Sequence, residues 1–144
     1  MQRKWIILAA TMTLVAFTAT GLTLAQEKSK LEELMEKVQA KNVLITKSVR
    51  TPATYKKAQK DVLESAEELI KIGKEAREDK GPSEKQKKKF EEWTRLMDDF
   101  IKKSEELKVV ASSSTGTQVQ AKGAHTALKA ACANCHKEFR VDEP

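Results

Sequence analysis

Three breaks divide this chain, and the residues between them favour helix. Thr51-Pro52 pairs a capping residue with a proline suited to the first helical position. Gly81-Pro82-Ser83 stops one segment and starts another, and Ser83-x-x-Gln86 has the form of a capping box. Ser112 to Gly116 is a short polar linker. The four segments bounded in this way are 28–50, 52–79, 83–110 and 117–140. Each repeats its apolar residues at spacings of three and four rather than two. The first carries Leu31, Leu34, Met35 and Val38, then Leu44, Ile45 and Val49. The third carries Phe90, Trp93, Leu96, Met97, Phe100 and Ile101. Four amphipathic helices with short connections predict an all-α fold, an antiparallel up-down-up-down four-helix bundle. Gly73 and Gly123 fall inside predicted helices, each at a cost of about 1 kcal/mol relative to alanine. Gly73 reads as either tolerated or as room for something bulky.

Residues 1–25 read as an address rather than as part of the fold. Arg3 and Lys4 precede an uncharged apolar run from Trp5 to Phe17, and the stretch ends Thr23-Leu24-Ala25. This is the pattern of a cleaved export signal, with cleavage expected after Ala25. The competing reading is an uncleaved membrane anchor, because the charge-free stretch from Trp5 to Gln26 is long enough to span a bilayer. Either way residues 26–144 form one domain that works outside the cytoplasm, in the periplasm of a bacterium. Loss of residues 1–25 removes two cations and no acid, so the net charge falls from +6 to +4. Nucleic-acid binding is not expected. The basic run Lys85 to Lys89 is followed by Glu91, Glu92, Asp98 and Asp99, and no aromatic platform accompanies it.

The chain has two cysteines, and both lie in Cys132-Ala133-Asn134-Cys135-His136. Thiols three residues apart share one face of a helix. That spacing suits thioether bonds to the two vinyl groups of one haem, with the adjacent imidazole free to ligate its iron; it is the attachment signature of c-type haem. A disulfide between residues i and i+3 of a helix is strained and closes a trivial loop. A thioredoxin-like pair needs a βαβ context. A zinc site needs four ligands, and the only other histidine, His125, is on the same predicted helix.

The tail Ala131-Cys132-Ala133-Asn134-Cys135-His136-Lys137-Glu138-Phe139-Arg140 resembles the class II c-type cytochromes, the cytochrome c′ family and its low-spin relatives. The resemblance is specific over roughly 123–140 and rests only on helix number and spacing over 28–110. It implies a four-helix bundle with one covalent haem c near the end of the last helix. Cys132 and Cys135 would be the thioether sites and His136 the proximal iron ligand. Phe139 and Arg140 would be haem-edge neighbours, Arg140 adding a fixed positive charge four residues beyond His136. Without a haem, Arg140 reads as an ordinary cation favoured at a helix C-terminus. A homodimer through the outer faces of helices one and two is a family-level expectation.

The sixth position of such an iron is either open or closed by a second ligand, and methionine there favours electron transfer. Beyond residue 25 the chain has only Met35 and Met97. In the expected topology the motif lies roughly 6–12 Å from the end of helix four. Met35, seven residues into helix one, is about 10 Å up, and Met97, fourteen residues into a helix beginning at 83, about 21 Å up. Height therefore favours Met35, in agreement with the low-spin members of the family; otherwise Met35 is a flexible residue packing on the haem. His125 is eleven residues before His136, about 16 Å along the helix, so both cannot bind one iron. It is expected to face solvent or to neighbour the haem propionates. Leu31, Leu34, Val38, Leu69, Ile70, Gly73, Ala76, Phe90 and Trp93 are the expected pocket walls, although most would be core residues without any cofactor.

The expected function is one-electron transfer, with a basic surface steering the protein toward acidic redox partners. Two other readings stay open: a five-coordinate haem protein binding nitric oxide or carbon monoxide, and an interaction bundle whose two cysteines are incidental. Enzymatic chemistry beyond redox is not expected, because no acid–base pair or nucleophile constellation is present.

Overall fold

The computed structural model describes residues 28–140, so the proposed leader lies outside the described residues. Everything regular in that span is helix: α1 (Lys30–Ser48), α2 (Pro52–Arg77), α3 (Gly81–Gln86), α4 (Phe90–Ser112) and α5 (Gln118–Phe139). Three of the helix starts are set by side chains. Ser29 and Glu32, Thr51 and Thr54, and Thr117 and Gln120 form reciprocal capping boxes that satisfy otherwise orphaned N–H groups. Pro52 occupies the first turn of α2, where its missing N–H costs nothing.

The expected third helix, 83–110, is instead two helices. No residue between Glu84 and Lys89 is apolar, so that stretch has no face to bury against the rest of the chain. The short helix α3 takes in only its first three residues, and Lys87 ends that helix in the left-handed region at φ 51°. The long helix begins only at Phe90, where the apolar repeat resumes. The expected capping box at Ser83 is not formed: Ser83 lies inside α3, buried, with its Oγ unpaired.

The helices pack as a bundle. α2 lies against α1, α4 and α5, and α5 also lies against α4. Side-chain bonds give the directions. Lys30 pairs with Glu75 at 2.9 Å, and Lys41 pairs with Glu68, so α1 and α2 run past one another end to start. Trp93 Nε1 donates to the Ala76 carbonyl at 3.0 Å, and Gln59 Nε2 donates to the Ala111 carbonyl at 3.0 Å, which relates α2 and α4 in the same way. Lys88 pairs with Glu138 between the start of α4 and the end of α5.

Two clusters make the core. One holds Ile45, Val62, Ala66 and Leu107, all without exposed surface, with Phe100 and Leu128 beside them. The other, toward the starts of α1 and α4 and the end of α5, holds Leu34, Ile72, Trp93, Met97, Cys135 and Phe139. Gly73 lies where α2 crosses α4: a Cβ there would meet Ile101 Cγ1 at 2.8 Å and Phe100 Cδ1 at 2.9 Å. Its smallness lets two helices approach each other. Among the described residues no helix is long and apolar enough to cross a membrane.

Candidate functional site

α1 and α5 do not pack closely along their lengths. Two hydrogen bonds join them at one end. Gln118 Nε2 donates to the Val49 carbonyl at 2.6 Å, and His125 Nε2 meets Asn42 Oδ1 at 2.8 Å. From the first bond to the second α5 advances seven residues while α1 goes back seven, so the two keep step. Another seven residues bring Cys132 level with Met35. A cavity of about 800 Å³ fills the gap on both sides of that level, lined from Leu31 to Asn42 of α1. This is within the range of small-molecule and cofactor pockets, roughly 300–1,000 Å³.

The cavity wall combines the residues that the sequence singles out. Cys132, Cys135, His136, Phe139 and Arg140 line it from the end of α5, and Met35 lines it from α1. Both cysteines are free; Cys135 is buried and Cys132 half-buried. Burial pushes the Cys135 thiol up to about 11, aided by its neighbour Cys132, and burial raises Cys132 as well. Both are therefore thiols at neutral pH, unlike the low-pKa thiolates of disulfide exchange. Among the described residues no group of three or more histidine, cysteine or carboxylate side chains is placed to hold a metal ion. His136 is exposed and lines the cavity. Phe139 is buried in an edge contact with Trp93, ring centroids 5.3 Å apart at 74°, and the Lys88 ammonium lies over its ring, 5.5 Å from the centroid. Arg140 is exposed, just past the last turn of α5, and its N–H bonds the His136 carbonyl.

Two expectations are corrected. The first concerns height. Because the long helix begins at Phe90, Met97 is seven residues into it, about 10 Å up rather than 21 Å. Met97 is buried and lines the same cavity as Met35, so height does not exclude it. The second concerns His125, which does not face solvent: it is 2% exposed and bonded to Asn42. Burial and the nearby Lys129 ammonium hold its imidazole down to about 4, so it is neutral. The apolar stripe Ala121, Leu128, Cys132, Cys135 and Phe139 carries a signal for this, since position 125 falls on it at helical spacing.

Of the expected pocket walls, Leu31, Val38, Gly73 and Trp93 line the cavity. Leu34, Leu69, Ile70, Ala76 and Phe90 do not: Leu34, Ala76 and Leu69 lie in the packed core, and Phe90 packs against it. Phe100, Gln39, Asn42 and Lys129 line the cavity without having been expected to. No protein-family model, curated protein or solved structure matches the chain.

Proposed function

We propose that this protein is an exported electron carrier of the class II c-type cytochrome kind, an antiparallel up-down-up-down four-helix bundle holding one haem c in the cavity between α1 and α5. The observation that carries the reading is the cavity wall, which unites two neutral thiols, an accessible imidazole and a thioether sulfur around a mostly apolar space. That donor set fits the group. Cys132 and Cys135 would hold it through thioether bonds, His136 would ligate the iron, and Met35 would supply the sixth ligand. When bound, a haem supplies one reversible electron, passing between ferrous and ferric iron.

The chain's own residues do the rest. Trp93, Val38, Met97 and Phe100 exclude water from one side of the cavity and so raise the energetic weight of nearby charges. Phe139, clamped by Trp93, fixes the last turn of α5 and with it the orientation of His136. Arg140 keeps a cation at the cavity wall, which favours the more reduced state. The basic surface would steer acidic partner proteins, and raising the salt would slow that encounter.

The reduced spectrum with and without carbon monoxide tests this reading. A six-coordinate spectrum unaffected by carbon monoxide supports electron transfer. Met35→Leu should turn it into a five-coordinate spectrum that carbon monoxide changes at once, whereas Met97→Leu should not. A five-coordinate, carbon-monoxide-binding spectrum in the unsubstituted protein would replace the carrier with a gas-binding protein and remove Met35 from the iron.

A further inference from the structure

The polar side chains of the cavity separate into two ends. Glu32, His136 and Arg140 lie together at one end, where an acid accompanies the Arg140 guanidinium. At the other end, two to three turns later in α1 and about two turns earlier in α5, are Gln39, Asn42 and Lys129, with no carboxylate among the lining residues there. Among the described residues Lys129 makes no ion pair. His125 constrains Asn42. The amide oxygen of Asn42 can only accept, so His125 Nε2–H donates to it, at 2.8 Å. With Oδ1 taken, Asn42 has its Nδ2 donor pair left to offer. His125 is buried and neutral, so this bond persists through the physiological range.

An ammonium and a fixed amide donor without a competing acid suit an anion with oxygen acceptors. We propose that this end of the cavity binds a carboxylate of the bound group, Lys129 and Asn42 contacting it and His125 acting as a positioning residue through Asn42. The proposal rests on the haem reading above, since haem carries carboxylate side chains in addition to its vinyl groups.

The test uses the haem-loaded protein and the dependence of its reduction potential on pH. In the unsubstituted protein the carboxylate should titrate in the acid range. Lys129→Gln should raise its proton affinity about tenfold, the lower end of what an adjacent opposite charge supplies. Asn42→Leu and His125→Leu should shift it in the same direction and by less. Lys137→Gln removes an exposed cation that does not line the cavity and should leave the titration in place. Equal titrations in Lys129→Gln and the unsubstituted protein, or an equal shift in Lys137→Gln, would overturn the proposal while leaving the haem reading intact. Absence of covalently held haem in the unsubstituted protein would overturn both. Should His125→Leu lose its helical circular dichroism, the exposed Lys129→Gln decides the matter alone.

Discussion

The two ends of this bundle are built from the same kinds of residues and behave differently. Around Ile45, Val62, Ala66 and Leu107 the side chains have no exposed surface, and the linker and helix ends are tied by Gln59 and Gln118 to backbone carbonyls. Around Leu34, Trp93, Met97 and Cys135 the helices enclose a cavity of about 800 Å³ instead of filling it. The closed end is packed by the chain alone, whereas the open end leaves α1 and α5 apart and places thiols, an imidazole and a methionine in the gap. The tightly packed core and the cavity thus separate along the length of the molecule.

Truncations should reveal the difference most strongly. Leu107→Ala at the closed end should lower unfolding stability by about 2–5 kcal/mol, since a fully enclosed side chain leaves a void. Met35→Ala in the chain without haem should cost under about 1 kcal/mol, because a half-buried side chain beside an existing cavity leaves no new one. Denaturant unfolding of the two variants measures both; equal losses would mean that the open end is packed as tightly as the closed one.

A second contrast is in pH. His125 sits where the two ends meet, with a folded pKa of about 4 against an ordinary value of 6.5. Above pH 6.5 it is neutral folded or unfolded and has no effect. As the pH falls from 6.5 toward 4 the unfolded chain takes up a proton that the folded one refuses, so stability falls, by at most about 3 kcal/mol. His125→Gln should remove that part of the slope. An unchanged slope between pH 6.5 and 4 would mean that the imidazole is not held neutral beside Lys129 and Asn42.

The smallest effect comes from the two helical glycines. Nothing lies within 4 Å of a Cβ at Gly123, so Gly123→Ala should stabilise by about 0.5–1 kcal/mol through helix propensity. At Gly73 the same change meets Ile101 and Phe100, and crowding of about 1–3 kcal/mol should outweigh the gain. Thermal unfolding of the pair would separate close packing from tolerance.

Much of this arrangement is legible in the chain. The apolar spacing, Thr51-Pro52 and the polar linker Ser112 to Gly116 define α1, α2 and α5 with ends that agree to within about two residues, because caps and periodicity act locally. The break at 81–89 is less legible, because Ser83-x-x-Gln86 has the form of a cap whereas the apolar-free run up to Lys89 decides where the long helix begins. That one shift moves Met97 to the level of the cavity. The motif from Cys132 to His136 is legible because its chemistry depends on spacing along a single helix. Asn42, Gln39 and Lys129 are not, since their shared place depends on the step between α1 and α5, which no single segment encodes.

The central claim is that the open end holds a haem through Cys132 and Cys135. The chain, exported in a host supplying haem-maturation proteins, can be run on a denaturing gel and stained for haem peroxidase activity. The account predicts a stained band at the mass of the chain, absent when both cysteines are replaced in Cys132→Ala with Cys135→Ala. An unstained band from the unsubstituted chain, present in normal amount, would contradict it.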